Sequence, residues 1–375
     1  MERYKEYKDS GVQWIGEIPS HWEMEPFGRH FSYGKGLPIT KADLTQEGIA
    51  VISYGQVHSK LNKGTTISDE LVRYVSPNFM ESHPQCLLNK GDFVFADTSE
   101  DIEGSGNFAF NDYTNRIFAG YHTVVAKPKD LPYPKYHAYL FQSLNWKSQI
   151  QSLVNGVKVY SIGKGHLKKS YLLLPPLAEQ EKIVSYLESK TSKIDAYVAD
   201  KEKEIQFLQE LKQKTIAEAV TKGLNPNVKM KDSGILWIGM IPEHWGIKRA
   251  KYMFIKNKRN RHPEDEVITC FRDGQVTLRK NRRLTGFTES EKYDGYQGIR
   301  ERSSDFSFPV FGNQYLVIPP RTEQNEIVAY IEEKCQKIDT LITELQAEID
   351  YLKEYKQRLI ADVVTGQVNV QIIAI

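Results

Sequence analysis

Two segments of the chain each occur twice, and the two repeats are spaced differently. Lys8–Trp22 reads KDSGVQWIGEIPSHW and returns 223 residues later as Lys231–Trp245, KDSGILWIGMIPEHW. Pro175–Asp195 reads PPLAEQEKIVSYLESKTSKID and returns after only 144 residues as Pro319–Asp339, PPRTEQNEIVAYIEEKCQKID. An internal repeat constrains architecture strongly, because the same unit must fold twice. The chain reads as two tandem copies of a box followed by a helix. The second copy has 79 fewer residues between box and helix.

Downstream of each Pro-Pro, isoleucine recurs every eleven residues: Ile183, Ile194, Ile205, Ile216, and again Ile327, Ile338, Ile349, Ile360. Tyr186, Tyr197, Leu208, Ala219 and Tyr330, Leu341, Leu352, Val363 follow the same step. Eleven residues in three turns is about 3.67 per turn, so these rows form one apolar stripe on nearly straight helices. Pro176 and Pro320 mark the starts, and Glu179, Glu181, Glu323 and Glu326 favour the positive end of the dipole. Gly223 and Gly366 supply the stops. About 44 residues at ~1.5 Å each predict a rod of roughly 65 Å. The stripe needs a partner, and the other copy provides one. The expected arrangement is an antiparallel intramolecular coiled coil with the eight isoleucines in its seam, as packing residues.

The box W-I-G-x-I-P-x-H-W predicts a rigid apolar plug. Trp14, Ile15, Ile18 and Trp22, with Trp237, Ile238, Ile241 and Trp245, are expected to dock on a helix end or sheet. His21 and His244 have no Cys, Asp or second His at ligand spacing, so a structural role is expected for both.

The region between the first box and its helix alternates β-branched and aromatic runs with Gly-, Ser- and Asn-rich turns. Strands are predicted at Ile49–Tyr54, Asp92–Ala96, Thr123–Ala126 and Tyr171–Leu174. One helix is predicted over Pro134–Val154, with Tyr136, Tyr139, Leu140, Leu144 and Ile150 on one face. The fold class is α+β. The predicted division is a first domain 1–174, a long helix 175–223, a shortened second domain 224–318, a long helix 319–366 and a tail 367–375. In the second domain Glu266–Phe271 resembles Ala50–Tyr54, and both lead into Gly-Gln-Val. Nothing there matches the Gly91–Val94 strand, the Gly120–Thr123 segment or the 134–154 helix. Half a domain cannot bury a full core, so 246–316 is expected to pack loosely.

Loops of the first domain carry groups suited to nucleic acid. The candidates are Lys35, Tyr54, Gln56, His58, Lys60, Lys63, Ser99, Ser105, Lys158, Tyr160, Lys164 and Lys168. Gln, His, Tyr and Ser can address base edges, and Lys supplies phosphate contacts. The same loops also suit the surface of any soluble domain. A net charge of +2 selects no partner. Residues 1–174 carry 19 Lys/Arg against 18 Asp/Glu, whereas 228–316 carry 17 against 11. The excess lies in Lys248–Arg261 and Arg279–Arg283, which read as nucleic-acid surface or as solvated face.

Signals for chemistry are missing. Cys86, Cys270 and Cys335 are far apart, which supports neither a zinc site nor a disulfide framework and suits a reducing cytoplasm. There is no phosphate-binding G-x-x-x-x-G-K-[ST] loop, no dinucleotide fingerprint and no Asn/Asp-Pro-Pro-Tyr/Phe run. Glu100, Asp101 and Glu103 cluster without the lysine pattern of a nuclease. No catalytic, metal or cofactor site is expected. The polar N-terminus and the lack of a membrane-length apolar run predict a soluble cytoplasmic protein without membrane contact.

The duplicated box, the PP-x-x-EQ entries at LPPLAEQEKIV and IPPRTEQNEIV, and the paired helices resemble the DNA-specificity (S) subunit of type I restriction–modification systems, over nearly the full length. In that family two target-recognition domains alternate with two conserved helices that pair antiparallel. Each domain reads one half of a bipartite site in double-stranded DNA, and a rod of this length suits a ruler across about two turns of duplex. The resemblance implies that the helices dock two methyltransferase subunits, that restriction subunits join through the complex, and that this chain is non-catalytic. S-adenosylmethionine, ATP and Mg would belong to the partner subunits. The shortened second domain departs from the pattern. It leaves two readings: a subunit reading one half-site, or an assembly scaffold that has lost specific recognition. Self-association to recover a second reader is a third arrangement that the helices permit.

Overall fold

Runs of Val, Ile, Phe and Ala build two four-stranded sheets before residue 130. In chain order the strands are β1 Phe31–Lys35, β2 Leu44–Thr45, β3 Ile49–Ile52, β4 Arg73–Val75, β5 Phe93–Ala96, β6 Phe108–Phe110, β7 Ile117–Ala119 and β8 Thr123–Pro128. One sheet has the order β6-β5-β8-β1 and is antiparallel throughout. The other has the order β7-β3-β4-β2, with β7 parallel to β3 and the rest antiparallel. This computed structural model describes residues 2–154, 156, 159–255, 268–270, 276–278 and 308–373.

The two-residue period of a strand explains how these sheets share their cores. In β5, read FVFA, all four side chains are buried. Phe93 and Phe95 point into an aromatic cluster with Phe27, Phe31, Phe108, Phe141 and Trp146, in which the Phe27 and Phe31 rings stack at 4.1 Å. Val94 and Ala96 face the other way, onto Ala50, Ile52, Val57 and Val125. One strand thus serves two cores.

The helix predicted over 134–154 is two helices, α1 (Pro134–Gln142) and α2 (Leu144–Gln151). Ser143 makes the break. Its backbone is extended at φ −66°, ψ 143°, its Oγ donates to the Leu140 carbonyl at 2.6 Å, and the same oxygen caps Trp146 N–H. Serine competes for backbone partners in this way. The break changes the helical phase, so Leu144 is 63% exposed rather than on the buried face. Strand β9 (Tyr171–Leu174) then pairs with Glu23–Pro26, returning the chain to the first box.

Two helices follow the Pro-Pro pairs, α3 (Leu177–Lys222) and α4 (Arg321–Val364). They match the expected elements to within a few residues at either end. The chain divides into one unit of Met1–Lys203 with Glu344–Ile375 and another of Glu204–Thr343. In the first unit Lys356 pairs with Asp195 at 2.6 Å, and Lys353 with Glu202 at 3.3 Å. In the second unit Lys212 pairs with Asp339 at 2.6 Å. Asp195 and Asp339 occupy the same repeat position, as do Lys212 and Lys356, so one ion pair is made twice by an antiparallel pair of helices. Ile183, Ile327, Ile338, Ile349 and Ile360 are buried, while Ile194, Ile205 and Ile216 are half-buried.

The second unit keeps the elements that frame its helix. Met230–Asp232 pairs with Met240–Pro242 as Tyr7–Asp9 pairs with Glu17–Pro19. Gly246–Arg249 pairs with Tyr315–Ile318 as Glu23–Pro26 pairs with β9. Ala219, Ile241, Trp245 and Ile327 form its core. Most of 246–316, including 256–261 of the first basic cluster and all of the second, lies outside the described residues.

Candidate nucleic-acid interface

Each box seats at a joint between the helices. Glu179, in the first turn of α3, meets His21 Nε2 at 2.7 Å and accepts Trp22 Nε1–H at 3.0 Å. Glu323, in the first turn of α4, meets His244 Nε2 at 2.8 Å and accepts Trp245 Nε1–H at 2.9 Å. Across each joint lies the end of the other helix, at a glycine with φ +74°. The Gly366 and Gln367 N–H groups donate to Val363 and Asp362, closing α4 in a Schellman motif against Pro19 and Trp22. Gly223 closes α3 against Trp245. His21 and His244 therefore orient a carboxylate. Within the boxes Ile15, Ile18, Trp22, Ile241 and Trp245 are buried and Ile238 packs against its core, but Trp14 and Trp237 are 43% and 65% exposed. Both precede the turn at which the plug enters the core, so the plug is narrower than the motif suggests.

The loops at one edge of the two sheets surround an open cleft of about 720 Å³, lined by Tyr54, His58, Thr98, Asp101, Asn107 and His122 among others. Tyr54 comes from the short turn after β3. Its ring lies 5.6 Å from Tyr121 and 5.5 Å from His122, both edge-on, and 6.4 Å from His58. His122, in the β7–β8 turn, has φ +54°. Positive φ is uncommon outside glycine, with His among the more tolerant side chains. This turn leaves the His122 ring exposed, with Nδ1 at 3.3 Å from Asp97.

His58 uses both ring nitrogens internally. Nε2 donates to the Thr98 carbonyl at 2.8 Å, and Nδ1 accepts from Asn107 Nδ2 at 3.1 Å. That pattern requires the neutral Nε2–H tautomer. Asn107 Oδ1 in turn accepts from Lys147 Nζ at 2.7 Å. The exposed wall of Glu100, Asp101 and Glu103 offers carboxylate acceptors, of the kind that match a cytosine amino group. Among the described residues no group of three His, Cys, Asp or Glu could hold a metal ion.

The structure distributes the twelve candidate residues. Tyr54, His58 and Ser99 line the cleft, and Tyr160 pairs with Ser99 in a two-residue ribbon beside it. Gln56 is occupied in capping its own turn, its Oε1 accepting Ser53 N–H at 3.1 Å. Ser99 is nearly buried and Ser105 fully so, correcting their assignment as surface contacts. Ser99 Oγ donates to Asp101 Oδ1 at 3.5 Å, and Ser105 Oγ is buried within the turn that follows. Lys63 lies toward α3, 4.0 Å from Asp195, and with Lys60 lines a separate cleft. Lys35, Lys164 and Lys168 are exposed elsewhere, with Lys168 Nζ 5.5 Å over the Tyr33 ring. Lys158 lies outside the described residues. Residues the sequence did not single out are Asn107, Tyr121 and His122. A Gly-Tyr-His-Thr turn between two strands was the available signal.

Residues 20–206 match the family described as type I restriction modification DNA specificity domain. A chain from the type I R-M system, in a structure concerned with complex assembly and conformational transition, superposes with a TM-score of 0.61 at 14% identity. That likeness covers 94% of this chain and 99% of the other. The HsdS subunit from Thermoanaerobacter tengcongensis gives 0.45 at 14% identity, covering 94% and 98%. The type I S subunit from M. genitalium gives 0.39 at 13%, covering 92% and 96%. No curated protein matches the chain. Among the described residues no helix is long and apolar enough to cross a membrane.

Proposed function

The chain belongs to the type I restriction–modification DNA-specificity family, and we propose that its first unit reads one half of a bipartite DNA site. The observation that carries this reading is the cleft around Tyr54, His58, Asn107 and His122. It combines aromatic faces, an exposed imidazole and carboxylate acceptors at one sheet edge, the types of group that address base edges. The long helices are proposed to dock two methyltransferase subunits, which two similar faces on one chain would suit. Adenine methylation and ATP-driven cleavage are then the work of partners that hold S-adenosylmethionine, ATP and Mg, in the cytoplasm where the DNA lies.

One observation favours a second reading, an assembly scaffold without specific recognition. Both helix joints are complete, although the second copy is 79 residues shorter between box and helix. Methylome sequencing of cells making this chain with a cognate methyltransferase separates the two. A new methylated motif, abolished in Tyr54→Ala and His122→Ala variants, supports the reader. A stable complex with no motif supports the scaffold. Methylation by the chain without a partner would overturn both.

A further inference from the structure

Within the first unit a second cleft, of about 480 Å³, opens beside the 57–64 turn, α2 and the paired long helices. Five of its lining residues are lysines, Lys60, Lys63, Lys147, Lys353 and Lys356, against one carboxylate, Asp195. Asp195 is already shared, by Lys356 at 2.6 Å and by Lys63 at 4.0 Å. Lys353 is paired with Glu202. Lys60 is exposed and Lys147 is not. Among the described residues Lys147 makes one hydrogen bond, to the neutral amide of Asn107, and no ion pair. Burial pulls its ammonium below the ordinary lysine range. A desolvated cation beside an amide oxygen is poorly compensated, and a bound anion would compensate it.

We infer that this cleft receives a phosphodiester of the DNA backbone, with Lys147 and Lys60 as the cations that meet it. The inference rests on the first unit's reading of DNA. Asn107 lines both clefts, so a strand whose bases enter one has its backbone directed toward the other. The hydrogen-bond chain from Lys147 through Asn107 to His58 joins the phosphate position to the base-reading wall. Register on the duplex is thereby fixed by the same residue that sets the His58 tautomer.

The test is the salt dependence of duplex binding by the full chain, assembled with its methyltransferase subunits, on matched and mismatched DNA. In Lys147→Met and in Lys60→Gln, the slope of log affinity against log salt is expected to fall by about 0.9 for each phosphate no longer neutralised. Affinity is expected to drop equally on both duplexes, and Lys147→Arg to keep the slope. Lys60 is exposed, so its variant reports even where Lys147→Met impairs folding. Unchanged slopes in both variants overturn the assignment while leaving the reader intact. A complex that shows no preference for matched DNA overturns the reader itself. Weakened inorganic phosphate binding in Lys147→Met, with an unchanged DNA slope, would assign the cleft to a free anion and overturn the backbone contact.

Discussion

The indole N–H of Trp22 donates to Glu179 Oε2 at 3.0 Å, tying the last residue of the first box to the first turn of α3. Trp22 is fully buried, so the carboxylate is the partner its N–H requires. Glu179→Ala leaves that donor unsatisfied and should cost about 1–3 kcal/mol, with Glu179→Gln losing less because one acceptor remains. Glu323→Ala should do the same to Trp245. Denaturant unfolding of the four proteins measures the differences, and an unmoved midpoint for Glu179→Ala would count against the joint.

Gly366→Ala should be more harmful than an alanine at another left-handed glycine. Gly366 has φ +74°, and an added Cβ would come within 2.5 Å of the Pro19 ring. Gly11 has φ +71° with nothing within 4 Å of the same position. Backbone strain alone should cost Gly11→Ala about 1 kcal/mol, while Gly366→Ala adds a steric term and exceeds ~2 kcal/mol. Comparable losses in thermal unfolding would show that the Pro19 ring yields easily.

Acid should destabilise the first unit before its carboxylates titrate. Burial, reinforced by the positive charge of His30, pushes His137 from 6.5 down to about 3, with the Tyr133 backbone as a small opposing influence. His30 itself lies between Glu25 at 2.7 Å and Asp130 at 2.8 Å. The folded state thus binds fewer protons than the unfolded chain between those two pH values. Stability is full above about pH 6.5 and falls as pH drops, by up to ~1.4 kcal/mol per unit. The Glu25 carboxyl, lowered by Arg29 and then His30, contributes only in a more acidic window. Unfolding measured from about pH 7.5 to about pH 5 should lose about 2 kcal/mol, and His137→Leu should flatten that slope.

The stripe should not be uniform in energy. Ile349 is 1% exposed, whereas Ile205, at the same kind of eleven-residue position, is half-buried. Ile349→Ala is expected to cost about 2–4 kcal/mol and Ile205→Ala roughly 1 kcal/mol. Equal losses by urea titration would mean that the seam is packed alike along its length.

The helices were legible because their signals are local: prolines at the start, a repeated period and a glycine at the end. The partners of the boxes were not legible. Trp22 and Glu179 are separated by 157 residues, and nothing near either residue names the other. The break at Ser143 was hidden by apolar periodicity on both sides of it. Ser99 and Ser105 looked like surface groups because composition cannot show which way a turn folds. Lys147 carried no signal at all, since a lysine within a predicted helix reads as solvated. Tyr54 and His58 were named by side-chain type, and the fold puts both on the wall of one cleft. His122, the third member of their cluster, depends on a backbone conformation that only the fold displays.

An eleven-residue stripe has one weakness as a specification: slid by one period, a row of isoleucines again lies against a row of isoleucines. The joints remove that degeneracy. Glu179 and Gly366 grip the first box, and Glu323 and Gly223 grip the second, so α3 and α4 are indexed at both ends. Inserting eleven residues into α3 alone would preserve the seam and leave one box unseated. The two helices can change length only in step, each matching the other's increment.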